Sequence, residues 1–263
     1  SEKDQTKTIA EFLSDAQVIK ILGKVDDYQG NLSIVLTEPP EKVTDYDTPE
    51  DFLVKTDKDI PQMLQSLKDD ISNISNPHIK QLLELFSNDE KFMEKFSKSP
   101  AAKVMHHNFI GGLLEHVLNL IAASKTIHSS HPELDLDLLI AASILHDIGK
   151  IDEYDTGLKI EISEDGRFYG HISIGYRLVA SKIEEISDFP EELEKKILHI
   201  ILSHHGEKQY GSPIEPIFPE AVAFHNIDKT DASIQNIKQT IQNDNKDGDW
   251  AYDSFQKKVI YKK

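Results

Sequence analysis

Leu136-Asp137-Leu138-Leu139-Ile140-Ala141-Ala142-Ser143-Ile144-Leu145-His146-Asp147-Ile148-Gly149-Lys150 is the stretch whose reading decides the fold. Its first ten residues are apolar nearly all round at helical pitch. They predict a helix over 135–148 that lies in the centre of a domain. The end of the stretch then brings a histidine, an aspartate, a glycine and a lysine. Burying an adjacent His and Asp is costly unless each finds a partner. A structural hydrogen-bond network and a metal ion both meet that need. Gly149 reads as a helix stop, and the first polar groups beyond an apolar rod are well placed to line a pocket.

Working outward, the same helical period recurs. From Pro61, Met63, Leu64 and Leu67 are followed by Ile71, Ile74, Ile79, Leu82, Leu83, Leu85 and Phe86, at spacings of three and four. Helices are predicted over 112–130, 171–187, 190–205 and 219–241. One β-hairpin interrupts them, with Leu158–Ile162 and Arg167–Tyr169 alternating at period two around Glu164-Asp165-Gly166. Residues 61–263 are therefore expected to form a mainly α domain with a small hairpin insert. Residues 1–60 read differently. Val18–Val25 and Asn31–Leu36 are β-branched-rich runs around a Gly/Asp turn, which predicts a hairpin. Residues 37–60, with Pro39-Pro40, Pro49 and many acids, read as a linker.

Polar residues recur at the inner ends of these helices. His116 falls just beside the apolar arc of its helix. His204 shares a face with Leu193, Ile197, Ile200 and Ile201, and His205 lies about 100° round the helix from it. Asp228 ends an apolar run, and His171 opens a helix after Gly170. A shared polyvalent cation explains these positions better than five separate networks. Imidazole and carboxylate without thiolate suit Mn²⁺, Fe or Mg²⁺, with Zn²⁺ and Co²⁺ as further options. His78, His128 and His131 sit in polar stretches and are expected at the surface.

Composition narrows the field. The chain of 263 residues has 46 acidic and 29 basic side chains, a net charge of −17, and no cysteine. Thiol nucleophiles, disulfides and zinc–thiolate sites are excluded, and a reducing cytoplasm suits such a chain. The longest apolar run, Leu138 to Leu145, is too short to span a bilayer, so no membrane role is expected. The acidic surface argues against broad basic gripping of nucleic acid. It leaves room for phosphate chemistry at a metal centre, where cations supply the positive charge.

His116, His146-Asp147 and Asp228 in order resemble the H…HD…D signature of HD-domain metal-dependent phosphohydrolases. The resemblance extends through His106-His107-Asn108-Phe109, Gly112-Leu113, Leu145-His146-Asp147-Ile148-Gly149-Lys150, Gly170-His171-Ile172-Ser173-Ile174, Ile201–Gly206 with Tyr210-Gly211-Ser212-Pro213, and Ile227-Asp228 with Asp231-Ala232. That ordered set is similar to the YhaM-type 3′→5′ exoribonucleases, over about residues 60–263. In that family an OB-fold precedes the HD domain. The 18–36 hairpin resembles only the last strands of such a barrel.

The resemblance implies two divalent ions, manganese favoured. The first would be held by His116, His146, Asp147 and Asp228. Asp147 would bridge to a second held by His171 and His204, with His205 as a further ligand or a hydrogen-bond partner. Asp147, Lys150, His107 and His205 are the catalytic candidates. Lys150 is a phosphate contact in this reading. His107 either faces the phosphate or protonates the leaving oxygen, against a structural role at the helix entry, and Tyr210 and Ser212 are substrate contacts or a plain turn. Asp231 reads as a hydrogen-bond orienter. The implied substrate is single-stranded RNA or short oligonucleotides. Small nucleotides and a non-catalytic binding module are the alternatives. A cyclic-dinucleotide enzyme fits less well, because Ile172 stands where a proline follows the histidine in that motif. Apolar residues over 61–95 leave a homo-oligomer open.

Overall fold

The computed structural model describes residues 12, 14, 18–28, 31–45, 52–103, 107–244, 246–253 and 256–263. It divides into two compact units, Ser1–Phe52 and Leu53–Lys263. In the first, β1 (Val18–Lys20) pairs antiparallel with β4 (Glu41–Val43), and β2 (Gly23–Tyr28) with β3 (Asn31–Leu36). The predicted hairpin is present, but its first run breaks at Ile21-Leu22, and Val18–Lys20 pairs instead with a strand from the predicted linker. Among the described residues the two pairs do not join into one sheet.

The second unit is helical. Its elements are α1 (Ile60–Ser72), α2 (Pro77–Ser87), α3 (Glu90–Lys98), α4 (Gly112–Ser130), α5 (Leu136–Leu145), α6 (Lys150–Glu153), α7 (Glu164–Glu184), α8 (Glu191–Ser203) and α9 (Pro219–Asn243). Side-chain caps start several of them. Asp59, Asn76, Asp89 and Asp135 each accept a backbone N–H from the first turn of α1, α2, α3 and α5. Leu138 to Leu145 are all buried, and α5 packs against α2, α4, α8 and α9. Each leucine and isoleucine among them contributes about 1.5–3 kcal/mol when fully buried, which fixes α5 as the central rod. The segment before α1 joins this unit, with Thr56 N–H on Ile110 O and Ile110 N–H on Val54 O, both at 2.9 Å.

Three further findings, in the helical unit, depart from the sequence reading. The hairpin insert pairs β5 (Tyr154–Thr156) with β6 (Ile160–Ile162), not with Arg167–Tyr169. Ser163 accepts the Gly166 N–H at 2.9 Å and caps α7, and Glu164 and Asp165 suit its N-terminal dipole, so Arg167–Tyr169 become helical. The helix predicted over 135–148 ends at Leu145, with a turn before α6. A further hairpin follows α9, β7 (Trp250–Asp253) with β8 (Lys258–Tyr261). No helix among the described residues is long and apolar enough to cross a membrane.

Candidate metal centre

The central rod delivers His146 and Asp147 at its end, and its neighbours bring the rest. His116 points from α4 with its side chain fully buried. His204 caps α8, and Gly206 turns the chain away at φ +81°. Under that turn lies the His225 ring, whose Nδ1 donates to His204 O at 2.7 Å. A Cβ at residue 206 would meet the ring at 2.2 Å. Gly170, at φ +67°, breaks α7 and lets His171 begin a new segment. Gly149 is not a left-handed helix stop, since its φ is −68°. It is glycine because α7 packs on it: a Cβ there would lie 2.1 Å from His171 O and 2.5 Å from Gly175 N.

These elements bring seven predicted ligands together. His116 Nε2 lies 3.2 Å from Asp228 Oδ1, and His146 Nε2 lies 4.0 Å from the same oxygen. Asp147 stands between this group and a second one. Its Oδ2 is 3.1 Å from His146 Nε2, and its Oδ1 is 3.4 Å from His171 Nε2 and 3.6 Å from His204 Nε2. His205 joins the second group, its ring centroid 4.4 Å from that of His204. In each of the triads His116–His146–Asp228 and His171–His204–His205, ligand atoms lie within 4.8 Å of one another.

The far nitrogen of each inner ring is tied down. His116 Nδ1 meets Asp231 Oδ2 at 2.7 Å, and His171 Nδ1 meets Glu153 Oε1 at 3.2 Å. His204 Nδ1 donates to Ile201 O at 2.8 Å, and His146 Nδ1 to the carbonyls of Ala142 and Ser143 at 3.2 Å. A carbonyl only accepts, so the proton of His146 and His204 sits on Nδ1 and the Nε2 lone pair faces inward. The buried Nε2 atoms of His146, His171 and His204 and Oδ1 of Asp147 have no hydrogen-bond partner. Leaving one such group unsatisfied costs about 1–3 kcal/mol. Four lone-pair atoms converging on one another, each ring braced from behind, fit a divalent cation better than a hydrogen-bond network.

Charge agrees with that fit. Burial opposes protonation of His116, but hydrogen bonds to Asp228 and Asp231 outweigh it and raise its pKa to about 9. Burial pushes His204 well below its ordinary value, helped by His205 and His146. His205 is lowered by burial and by His171. Burial works against ionised Asp147 and Asp228, yet Lys150, His146 and His171 hold Asp147, and His116, His146 and His204 hold Asp228, below the usual carboxylate range. Neutral His204 and His205 beside ionised Asp147 and Asp228 are the forms that ligate metals, whereas His116 must give up its proton to do so.

The other predicted residues take distinct places. Lys150 is buried with Nζ 2.5 Å from Asp147 Oδ2. His107 is buried, at φ +55°, with Nε2 3.2 Å from Asp231 Oδ2. Asp231 thus links His107 to His116 and also accepts from Asn119 Nδ2 at 3.1 Å, the placement of an orienter. Ser212 is buried with Oγ on Leu202 O (3.1 Å) and Ile214 O (2.7 Å), which ties the loop to α8. The Tyr210 side chain and His106 lie outside the described residues. His131 is exposed, but His128 is half-buried on Leu134 O and His78 half-buried against Phe189.

Two contributors escape the sequence reading. Glu153 accepts both His171 N–H (3.1 Å) and His171 Nδ1, and Phe224 sets its ring edge-on to His146, centroids 5.0 Å apart. Asp152 and Glu153 are adjacent acids beyond Gly149, and nothing in their order marks one of them as buried.

The HD domain family matches residues 113–233, a range that holds all seven candidate ligands. The chain is 33% identical over 250 residues to the 3′-5′ exoribonuclease YhaM of Oceanobacillus iheyensis, covering 91% of this chain and 75% of that protein. It is 34% identical over 226 residues to the 3′-5′ exoribonuclease YhaM of Shouchella clausii, covering 86% and 70%. No solved structure gives a significant match. Fold, site and sequence make this an HD-domain protein, in class a metal-dependent phosphohydrolase. Within that class the chain belongs to the family of the YhaM exoribonucleases.

Proposed function

We propose that the chain is a metal-dependent phosphodiesterase of the cytoplasm that shortens single-stranded RNA or short oligonucleotides from the 3′ end. The observation that carries this reading is the convergence of buried, partnerless Nε2 atoms and Asp147 Oδ1, with each ring braced through Nδ1. The relatives' names supply the substrate class. His116, His146, Asp147 and Asp228 would hold one divalent ion, and Asp147, His171, His204 and His205 a second. Manganese is favoured, since the ligands are imidazole and carboxylate without thiolate. Bound ions of this kind supply a water acidified to hydroxide near neutral pH and positive charge against phosphoryl oxygens.

The chain's own residues do the positioning. Lys150 is the ammonium beside Asp147 and the group suited to a phosphate oxygen at the edge of the centre. Asp231 and Glu153 fix the rings of His116 and His171 from behind, so the inward lone pairs need no reorganisation. His107 acts on the site through Asp231.

The test is incubation of the protein and Mn²⁺ with 5′-labelled single-stranded RNA, a panel of mononucleotides and a cyclic dinucleotide. Progressive shortening from the 3′ end is expected. Release of product from the mononucleotides or the cyclic dinucleotide alone would overturn the reading.

A further inference from the structure

Both arginines of the chain, Arg167 and Arg177, lie on α7, among 29 basic residues of which the rest are lysine. Between them come Phe168-Tyr169-Gly170-His171, so two large aromatic residues stand one glycine before a candidate metal ligand. They are not core. Phe168 is 75% and Tyr169 54% exposed, an unusual position for two adjacent rings of that size. Their centroids are 6.2 Å apart at a tilt of 44°, and the Arg177 guanidinium sits 5.8 Å from the Tyr169 centroid.

The local backbone explains why the rings stay outside. Gly166 is buried, and a Cβ there would meet Glu153 O at 2.5 Å, so the start of α7 is pressed onto the end of α6 at that residue. Arg167, Phe168 and Tyr169 follow on its exposed side. At Gly170 the chain breaks from helical geometry and then turns His171 inward, to 3.4 Å from Asp147. Tyr169 and His171 are two residues apart, at most about 7 Å of chain. The anchor that points into the centre and the rings that point to solvent are therefore joined by one glycine.

We infer that Phe168, Tyr169 and Arg177 form a stacking platform for the nucleobases next to the scissile phosphate of a single-stranded RNA. Exposed aromatic faces with an arginine are how proteins hold unpaired bases without reading their sequence. Arginine does this better than lysine, because its planar guanidinium stacks on rings as well as meeting phosphate. The charge fits too: in a chain of net −17, Arg177 sets its guanidinium against the Tyr169 ring, and Arg167 precedes Phe168 in sequence. This inference rests on the phosphodiesterase reading for its substrate, and it names the feature that would favour nucleic acid over a simple phosphate ester.

The experiment compares two 5′-labelled RNA oligonucleotides, one complete and one with its last three nucleotides abasic. Binding is followed by fluorescence anisotropy in EDTA, and turnover by gel in Mn²⁺. The unsubstituted protein is expected to bind the complete RNA about five- to a hundred-fold more tightly than the abasic one, the range that corresponds to one stacked base. In Phe168→Ala/Tyr169→Ala that ratio should fall towards one, and Tyr169→Phe should restore most of it over Tyr169→Ala. Both rings are exposed, and a circular-dichroism melt checks that the fold is intact. A ratio unaltered by the double substitution, or near one in the unsubstituted protein, overturns the platform while leaving the hydrolase reading standing. Base-dependent binding with no cleavage of either RNA supports the platform and sinks the hydrolase reading.

Discussion

Asp228 on one ring nitrogen and Asp231 on the other hold His116 between two carboxylates. Burial disfavours its charge, yet the two acids raise its pKa to about 9. Two consequences of opposite sign follow. In the metal-free chain the charged ring's stabilisation is complete below its ordinary value of 6.5 and is lost as pH rises through about 9. Metal binding runs the other way, because a divalent ion must displace that proton. Apparent Mn²⁺ affinity should rise by up to about tenfold per pH unit from neutrality and level off above about pH 9. Calorimetric titrations at pH 7 in buffers of different ionisation enthalpy count the released protons; a count of zero would contradict this account. The orienting acids give a second expectation. Asp231→Asn and Glu153→Gln should each weaken Mn²⁺ binding by about 10- to 100-fold with little change in helical signal. Unchanged affinity in Glu153→Gln would make its contact with His171 incidental.

Helices were legible where periodicity and punctuation agreed. Leu136–Leu145 announces a central rod because Asp137 and Ser143 are its only polar residues, and the His-Asp pair after it is carried inward with the rod. His204-His205-Gly206 and Gly170-His171 were readable for a similar reason: a glycine sets each histidine at a helix end. The insert misled because period-two alternation over three residues is weaker than the Ser163 cap with two acids behind it. The β1–β4 pairing was invisible, since nothing local says that Val18–Lys20 will meet Glu41–Val43. Gly149 shows the limit best. The sequence offers a stop, whereas the structure needs the missing Cβ for contact with α7. Gly149→Ala should therefore force the end of the rod and α7 apart, costing about 1–3 kcal/mol by overpacking and displacing His171 from Asp147. Urea melts and Mn²⁺ titration check both parts. A destabilised variant that kept full metal affinity would separate the packing role from the site.

At the scale of the molecule, charge and site pull in different directions. A net charge of −17 repels an RNA backbone, and residues 1–70 alone carry 16 acids against 8 bases. Affinity for long RNA comes mainly from lysines and arginines that release counterions, and each phosphate so neutralised steepens the salt dependence of binding. On the proposed function, the electrostatic grip on RNA phosphates is concentrated at the cation centre with Lys150 beside it, and stacking on the exposed rings adds binding that releases few counterions. The protein should then let go between cuts. Two measurements follow from one cause. With excess labelled RNA, shortening should produce a ladder in which every chain loses a few nucleotides before any is consumed. Adding unlabelled competitor after the start should stop it within a few cuts. The apparent affinity should also fall by less than about tenfold between 50 and 200 mM salt, where a protein making six or more phosphate contacts loses a thousandfold or more. A steep salt dependence with complete digestion in the presence of competitor would mean that a basic surface track exists despite the overall charge, and the link between acidity and weak grip would fail.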